Sequence, residues 1–327
     1  MNPKFAIFCV LIATLSFTLN DSLVKLLSQD FPLHQIVFIR TVIAFTLILI
    51  FVVPLEGGLN KLKTKRPFLH VARGIAIVAA NATFFAGLVV LPIGTAVAVF
   101  FIAPMLITSF SAIILKEQVN IYRWGALLIG FLGVLLIVQP GTSQFDWFYL
   151  FPILAAVFYA ITNTITRHVG ISESASSLSF YIQLTFLFVS TIVGLVLGDG
   201  RFYEPTHHPT IGFFTKEWVW PTEPISYFYF GLGGFCATVG TYFIAQAYRY
   251  GEAGLVTPFE YSALIFAVFW GYLFWNEIPD LLSGFGMLLI FGSGVFALLL
   301  EARPDVRIGF VRMVKSYTKK GKIGPLK

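Results

Sequence analysis

The chain has 327 residues, of which 57% are hydrophobic, 17% aromatic and only 12% charged, and its formal net charge is +6. Soluble globular proteins carry about 25% charged residues, and a mean hydropathy of +0.83 excludes an ordinary water-soluble domain. These values are typical of a polytopic membrane protein, whose side chains face lipid as well as the protein interior.

A membrane span needs about 20 mostly apolar residues to cross a hydrocarbon layer about 30 Å thick. Dividing the chain where charge, proline and glycine cluster predicts ten spans, near residues 5–27, 33–53, 70–90, 95–115, 121–139, 145–167, 176–197, 225–248, 253–275 and 281–300. Because most connections are short, we expect neighbouring spans to be antiparallel. The predicted fold class is an all-α polytopic membrane protein.

Positive charge predicts the orientation, since short cytoplasmic loops retain lysine and arginine. With the N-terminus inside, 18 of the 22 lysines and arginines fall in cytoplasmic regions, counting the cytoplasmic ends of the spans, and the outer loops hold only Arg201 and Lys216. The pattern predicts a multi-pass protein of a bacterial inner membrane with both termini in the cytoplasm. We expect the basic tail 303–327 to be drawn to anionic headgroups.

The two halves of the chain resemble each other. When the halves are overlaid, Asn20 falls on Asn163 and Arg40 on Gln183 at an offset of 143 residues, and Glu117 falls on Glu277 at an offset of 160. The long outer loop 198–224 absorbs the difference in spacing. Because each half has five spans, the halves 1–140 and 141–302 have opposite orientations, as in secondary transporters with a midplane substrate site. A duplicated bundle without transport activity is the alternative.

The two halves also share short motifs in the same order. They are the segment 96–104 with its proline, Leu115-Lys116-Glu117 and Trp124-Gly125 in the first half, and Thr257-Pro258-Phe259-Glu260-Tyr261, Trp275-Asn276-Glu277 and Gly284 in the second. Together they resemble the drug/metabolite transporter superfamily and its EamA-like branch over nearly the whole chain. The resemblance implies ten helices, cytoplasmic termini and a central cavity lined chiefly by spans 3, 4, 8 and 9.

Two features refine this resemblance. The segment 20–25, Asn-Asp-Ser-Leu-Val-Lys, followed by Arg40 looks like a subgroup that includes proposed S-adenosylmethionine and riboflavin carriers. The outer loop 198–224 departs from the minimal family pattern by its length, which leaves a partner or lid role for it open.

Ionisable side chains within spans cost at least ~2.5–3.5 kcal/mol to insert and persist where they are paired or face a wet cavity. Asp21 and Lys25 lie four positions apart on the first span, the spacing at which opposite charges meet, and Arg40 begins the second. We expect these three near the outer side, as an anion-attracting gate or as a structural ion-pair cluster. Arg73 opens the third span and completes the gate or charge-cluster candidates on the inner side.

Glu260 is the carboxylate that we expect to bind and release a proton, because a carboxylate removed from water is more easily protonated. A salt bridge to Arg249 or Arg73 would instead keep its charge fixed. The remaining substrate-binding candidates are uncharged side chains that can orient a ligand by hydrogen bonds or rings: Asn20, Asn81, Asn163, Tyr242, Gln246 and Tyr261. Polar groups of this kind can equally hold helices together.

Aromatic and basic residues indicate the ligand. Rings at Phe84, Phe100, Tyr261 and Trp270 suit a planar group. Lys25, Arg40 and Arg73 favour an anionic or zwitterionic molecule over a cation.

Prolines and glycines interrupt the spans. Pro104 and Pro258 each remove a helical hydrogen bond, so they serve as hinges or as static kinks. Small residues let helices approach closely, and the fifth and tenth spans contain Gly125, Gly130, Gly133, Gly284, Gly286, Gly292 and Gly294. Such packing joins either the two halves or two protomers, so a homodimer is possible.

The sequence has no Walker-type phosphate loop, HExxH pair or cysteine–histidine set with zinc spacing. It therefore predicts no catalytic residues, cofactor, metal site or nucleic-acid partner. The expected partners are the lipid bilayer and a small-molecule substrate. We expect a secondary transporter that moves a small polar metabolite, such as an amino acid or a nucleoside-like or vitamin-like compound, by alternating access. A membrane-embedded enzyme and a non-transporting assembly subunit are the alternatives.

Overall fold

The computed structural model describes residues 3–55, 57–64, 66–114, 121–142, 145–169, 175–206, 208–250 and 259–301. All regular structure in these ranges is helical, and no strand occurs within them. The predicted all-α class is confirmed.

The α-helices follow one another along the described chain. They are α1 Pro3–Leu27, α2 Leu33–Leu47, α3 Pro67–Leu88, α4 Ile93–Phe100, α5 Ala103–Ile114, α6 Ile121–Val138, α7 Leu150–Val169, α8 Ala175–Leu197, α9 Pro209–Thr215, α10 Pro224–Tyr250, α11 Ser262–Trp275 and α12 Leu281–Glu301. After α2 the chain continues through a π-helical segment, Ile48–Val52, to a last turn, Val53–Leu55. Short 3-10 turns lie at Leu59–Leu62 and Trp147–Tyr149.

Six helical stretches among the described residues are long and apolar enough to cross a bilayer: Lys4–Leu27, Leu33–Leu55, Pro67–Leu88, Ile93–Ile114, Trp147–Thr166 and Ser177–Leu197. Shorter apolar helices cover Trp124–Val138, Ser262–Trp275 and Leu281–Phe296. The predicted count of ten spans and the inverted repeat go further than this finding, and both stay predictions.

Each helix packs against helices that are distant in sequence. The most extensive contacts join α1 to α10, α6 to α12 and α3 to α7. Helix α2 lies between α8 and α10, α11 contacts α1 and α4, and α7 contacts α4 and α5. The N-terminal and C-terminal parts therefore interlock along their length.

Burial distinguishes the inside of this bundle from its surface. Helix α4 is buried along the run from Ile93 to Val99, at the centre of the main apolar core. Large apolar side chains also cover the surface, for example Phe188, Leu195, Leu288 and Phe235, each more than half exposed. An apolar surface of this extent is expected where lipid is the solvent.

A close helix crossing joins α6 to α12 through a pair of glycines. A Cβ atom built on Gly133 would lie 2.6 Å from the Gly286 carbonyl oxygen, and one built on Gly286 would lie 2.6 Å from the Gly133 carbonyl oxygen. One turn away, a Cβ on Gly130 would lie 2.9 Å from Ser293 Oγ. Of the two uses that the sequence left open, these three glycines serve packing within the chain. The glycines of these helices that face open space are Gly125, Gly284 and Gly292.

We predict that Gly286→Ala destabilises the protein while Gly284→Ala, two residues earlier on the same helix, does not. The added methyl group at residue 286 must push α6 and α12 apart, and overpacking of this kind costs about 1–3 kcal/mol. At residue 284 the methyl group meets nothing within 4 Å, and alanine favours a helix over glycine. Thermal unfolding of the purified variants in detergent measures the difference. Equal midpoints for the two variants would contradict the assigned crossing.

Candidate functional site

The predicted outer ends of α1, α4 and α11 are tied together by one ion pair. Lys25 Nζ lies 2.8 Å from Glu277 Oε1, and it also donates to the Leu91 carbonyl at 2.8 Å. The second carboxylate oxygen, Glu277 Oε2, accepts the Ile93 backbone N–H at 3.0 Å. The Lys25 ammonium also lies 4.8 Å from the Trp275 ring centroid, within cation–π range.

This outer ion pair is largely shielded from solvent. The exposed fraction is 9% for the Lys25 side chain and 23% for that of Glu277. Removing charges from water is costly unless they are paired and hydrogen-bonded, and here each charged group has a second polar partner. The ion pair therefore links three helices at a site where an unpaired charge would be unfavourable.

The end of α11 explains how Glu277 reaches this position. Asn276 ends the helix in the left-handed conformation with φ 55°, a common role of asparagine at a helix C-terminus. The chain then turns back, so that the Glu277 N–H donates to the Gly271 carbonyl at 3.1 Å. A Cβ on Gly271 would lie 3.0 Å from Ile93 Cγ2 and 3.3 Å from Glu277 Oε2. A small residue is needed there.

The expected contact of Lys25 with Asp21 is replaced by this contact with Glu277. The sequence interpretation treated Glu277 as a helix-end anchor, as it did Glu117, which lies outside the described residues. The signal in the sequence was a carboxylate placed directly after the ninth span on the side where α1 ends. Helical spacing favoured Asp21, but it cannot reveal a partner 252 positions away.

Asp21 instead belongs to a second polar cluster around Arg40. Arg40 Nη1 donates to Asn20 Oδ1 at 3.3 Å, Asn20 Nδ2 donates to Asp21 Oδ1 at 3.3 Å, and the Asp21 charge attracts the guanidinium. The guanidinium carbon lies 5.7 Å from the Phe85 centroid and 6.0 Å from that of Phe186. The structure thus brings together three of the predicted residues, buried Asn20, half-buried Asp21 and buried Arg40.

A row of aromatic side chains leads from this cluster across the bundle. Phe85 contacts Phe84 with ring centroids 5.8 Å apart, Phe84 contacts Phe100 at 5.4 Å, and Phe100 contacts Tyr159 at 5.3 Å. Phe85 is buried, whereas Phe84, Phe100 and Tyr159 are only half-buried although they lie among core helices. We call these four side chains the aromatic row.

The far end of the aromatic row is acidic. Tyr159 on α7 is within range of the Glu260 charge and hydrogen-bonds with the Asn163 side chain. Asn163 Nδ2 also donates to the Tyr159 carbonyl at 2.8 Å, one helical turn away. Among the predicted residues, Asn163 therefore contacts Tyr159, and the charge of Glu260 acts on the same tyrosine, a residue that the sequence interpretation did not include.

Two helix interruptions meet beside the aromatic row. The fourth span breaks at Phe101 and Ile102, directly before Pro104 in the first turn of α5, and a turn at Tyr261 precedes α11. Phe101 stacks on Tyr261 with centroids 4.9 Å apart and an interplanar angle of 25°. Tyr261 also packs so closely on Gly294 that a Cβ there would overlap the tyrosine ring. Tyr261 therefore forms one interruption and packs against Phe101 of the other and against Gly294. The other predicted hinge, Pro258, lies outside the described residues.

Arg73 occupies a separate position. Its Nη1 donates to Thr166 Oγ1 at 3.4 Å, and its Nη2 donates to the Leu178 carbonyl. The side chain is 2% exposed and joins α3 to α7 and α8. Arg73 therefore belongs neither to the outer ion pair of Lys25 nor to the polar cluster around Arg40.

The remaining predicted residues lie on α3 and α10. Asn81 is half-buried, one helical turn before Phe84. Tyr242 is half-buried with its ring 5.4 Å from that of Phe243. Gln246, on the same face of α10, is buried, and its Oε1 has no hydrogen-bond partner among the described residues.

The outer loop 198–224 lies over the same end of the bundle as the outer ion pair. Gln35 Nε2 donates to the Val219 carbonyl at 2.5 Å, and the Val219 N–H donates to Gln35 Oε1 at 3.2 Å. Thr210 donates to the Ala86 carbonyl at 3.3 Å, and Phe213 of α9 is only 1% exposed. The short helix α9 within the loop is therefore packed against the core, which its composition did not predict, whereas most other described residues of the loop are exposed.

A short-range pair stabilises the start of this loop. Asp199 Oδ2 lies 2.8 Å from Arg201 Nε on the surface. Hydrogen bonding from the Arg201 backbone N–H, followed by its side chain, lowers the pKa of Asp199 below its ordinary value. The carboxylate therefore stays ionised at neutral pH.

Relatives of known activity are transporters. The chain is 26% identical over 293 residues to the S-adenosylmethionine uptake transporter of Rickettsia prowazekii (strain Madrid E), with 90% of this chain and 92% of that protein covered. It is 27% identical over 291 residues to the pseudopaline exporter CntI of Pseudomonas aeruginosa (strain UCBPP-PA14), covering 88% and 93%. It is 27% identical over 298 residues to the riboflavin transporter of Rhizobium johnstonii (strain DSM 114642 / LMG 32736 / 3841), covering 90% and 91%.

A solved crystal structure shares the fold. It is 17% identical in sequence, superposes with a TM-score of 0.63, and the match covers 91% of this chain and 96% of that one. At this identity the likeness concerns the fold alone.

The family follows from a match over both halves of the sequence. The model of the EamA-like transporter family matches residues 4–139 and 146–299, which confirms the resemblance indicated by the sequence motifs. Together with the long apolar helices, the match indicates a multi-pass membrane protein. The chain therefore belongs to the EamA-like transporter family.

Proposed function

We propose that this chain is a secondary transporter that carries a small polar metabolite across the cytoplasmic membrane by alternating access. The observation that carries the proposal is the outer ion pair, which joins Lys25 of the first half to Glu277 of the second. The proposed halves are 1–140 and 141–302, in opposite orientations, with both termini and the tail 303–327 in the cytoplasm. A contact of this kind closes one side of a central site while the other side is used.

The helix contacts support an inverted repeat. The counterparts in the two halves are α1 and α7, α2 and α8, α3 and α10, α4 with α5 and α11, and α6 and α12. Exchanging each helix with its counterpart turns the α1–α10 contact into the α7–α3 contact, and the α2–α10 contact into the α8–α3 contact. The same exchange turns α1–α11 into α7–α5 and leaves the α6–α12, α2–α8 and α4–α11 contacts unchanged. Contacts that persist under this exchange are expected of two repeats related by a pseudo-two-fold axis.

The helix interruptions support a midplane site. Transporters of this architecture commonly bind their substrates where membrane helices are discontinuous, since the breaks expose backbone groups to the cavity. Here the break at Phe101 and the turn at Tyr261 come from matching spans of the two halves and stack on each other. Phe100, a member of the aromatic row, directly precedes Phe101 in the chain.

The outer ion pair has a strength suited to a gate. An exposed ion pair contributes about 0–1 kcal/mol, whereas breaking a fully buried one costs about 3–5 kcal/mol. With side-chain exposures of 9% and 23%, this pair falls between the two limits. A cost of that size keeps the outer side closed, yet substrate binding can offset it.

The proposed substrate site has complementary ends. Arg40 and its partners lie at one end of the aromatic row, and Glu260 with Asn163 lies near the other. A molecule with a planar ring and polar groups of both signs would fit between them, such as an aromatic amino acid, a nucleoside-like compound or a vitamin-like compound. S-adenosylmethionine and riboflavin, named for two relatives, are therefore included among the compounds to test.

The proposal predicts saturable flux of at least one such compound in proteoliposomes. The panel contains amino acids, nucleosides, S-adenosylmethionine and flavins, each measured with and without a pH gradient. Protein-free liposomes and liposomes with heat-inactivated protein are the controls. If no compound of this panel shows protein-dependent flux, the small-metabolite proposal fails.

We predict that Phe100→Leu weakens transport of a ring-containing substrate. The change keeps an apolar side chain but removes the aromatic contacts, which are worth about 0.5–1.5 kcal/mol, so KM rises roughly two- to tenfold. The matched control is Phe188→Leu on α8, where the phenylalanine is 65% exposed on the bundle surface. A KM that rises equally in both variants, or in neither, would remove the aromatic row from the proposed site.

Glu260→Gln is expected to separate proton coupling from transport. A glutamine keeps the size and hydrogen-bonding capacity of the side chain but carries no titratable proton. If Glu260 carries the coupled proton, an imposed pH gradient accelerates flux by the parent protein, and the variant retains exchange without that response. Flux that ignores both the gradient and the substitution would eliminate the proton-carrying role.

A further inference from the structure

The outer ion pair also has the features of a carboxylate receptor that is filled by a side chain of the protein. One oxygen of Glu277 contacts the Lys25 ammonium at 2.8 Å, and the other accepts the Ile93 N–H at 3.0 Å. An ammonium and a backbone N–H that each take one oxygen form a two-point carboxylate site, with charge-assisted hydrogen bonds. The two donors belong to the first half of the chain, whereas the carboxylate comes from the second.

The two donors are held in place by contacts other than those with Glu277. Lys25 is 91% buried at its side chain, donates to the Leu91 carbonyl at 2.8 Å and lies over the Trp275 ring. Ile93 begins α4 directly after Pro92, and it is fully buried. A helix start adds a favourable field for an anion, but Lys25 supplies the full charge. Removal of the Glu277 carboxylate would therefore leave two oriented donors without their acceptor.

The side of the site that Glu277 covers faces the predicted outer surface. Glu277 is 23% exposed, and it follows α11 in the connection to α12. Any outward opening that moves α11 away from α1 and α4 withdraws Glu277 together with Trp275 and exposes Lys25, still bonded to the Leu91 carbonyl, with the Ile93 N–H. The opened site then presents an ammonium and a backbone N–H that have both lost their carboxylate acceptor, and a carboxylate from solution can form the same two charge-assisted hydrogen bonds.

We propose that Lys25 and the Ile93 N–H form an outer binding site for the carboxylate group of a substrate, and that Glu277 is a tethered carboxylate that displaces it when the outer side closes. This inference rests on the proposed function, because it requires an outward-open state. It assigns the transported molecule to the carboxylate-bearing compounds within the small polar metabolites. Competition between the two carboxylates links substrate release from this site to closure.

The test uses a small carboxylate to replace the missing side chain. In a background with Cys9→Ala and Cys236→Ala, a reporter Ser28→Cys is placed one turn from Lys25, at a position that is 7% exposed. The full-length protein is reconstituted, and the rate of labelling by a membrane-impermeant maleimide is measured. Sodium acetate is titrated against sodium chloride at constant ionic strength and pH.

Removing the tethered carboxylate by Glu277→Ala is expected to raise the labelling rate about tenfold or more, because one partner of a shielded ion pair is lost. In this variant acetate can take the vacated position between Lys25 and the Ile93 N–H in the closed arrangement, so it is expected to slow labelling again, by about tenfold at ten times its Kd. Glu277→Gln is the matched control, since its amide still fills the site and should make labelling insensitive to acetate. The pair Glu277→Ala with Lys25→Met should likewise not respond to acetate. Glu277→Ser provides a second carboxylate-free variant if the alanine variant does not fold.

The outcomes separate the two proposals. If Glu277→Ala and Glu277→Ser leave the labelling rate unchanged, the gate itself is wrong, and the receptor proposal falls with it. If they accelerate labelling but acetate slows it no more than chloride does, only the carboxylate site is overturned. The same conclusion follows if acetate slows labelling equally in the variant that also carries Lys25→Met. Acetate-specific slowing that requires Lys25 supports the site, whether or not flux of any compound has been found.

Discussion

A buried charge in an apolar bundle must find a partner within the protein, and this constraint determines much of how the helices meet. Lys25 takes Glu277 and the Leu91 carbonyl, Arg40 takes Asn20 and the charge of Asp21, and Arg73 takes Thr166 and the Leu178 carbonyl. Each basic side chain thereby fixes the relative position of helices that are distant in sequence. Since lipid offers no competing hydrogen bonds, these contacts define the interface more strictly than apolar packing could.

The apolar contacts differ from these polar ones in how easily they can be broken. At the α6–α12 crossing, Gly133 and Gly286 bring two backbones together, with no side chain between them. Contacts of this kind depend on shape and lose their energy when the helices shift by a fraction of an ångström. The stacked pair of Phe101 and Tyr261, in contrast, lies at two helix interruptions. Stacked rings can slide over one another and stay in contact, and the backbone at the first interruption keeps hydrogen bonds from the Phe101 N–H to the Val97 carbonyl and from the Ile102 N–H to the Val99 carbonyl, both at 3.2 Å.

The sequence predicts those features that depend on residue type and short-range spacing. Hydropathy predicts the all-α class, and the order of the duplicated motifs is enough to indicate the family. The partner of Lys25 could not be predicted in the same way, since helical spacing offers Asp21 as a neighbour whereas Glu277 is 252 positions away. Tyr159 was missed for a similar reason. An aromatic residue in an apolar span gives no signal until Phe100 and Glu260 are placed beside it by the fold.

The positions of the polar and apolar links together suggest how the proposed motion is divided. The Gly133–Gly286 crossing connects the two proposed halves through close backbone contact, so it suits a pivot about which the halves tilt. The outer ion pair connects the same halves through long side chains, whose partners can be exchanged for water or for another anion. A latch needs a contact that is specific when formed and replaceable when broken. Lys25 and Glu277 satisfy both requirements, since the ion pair is directional but only partly shielded, whereas a glycine crossing, once opened, gains no substitute partner from lipid.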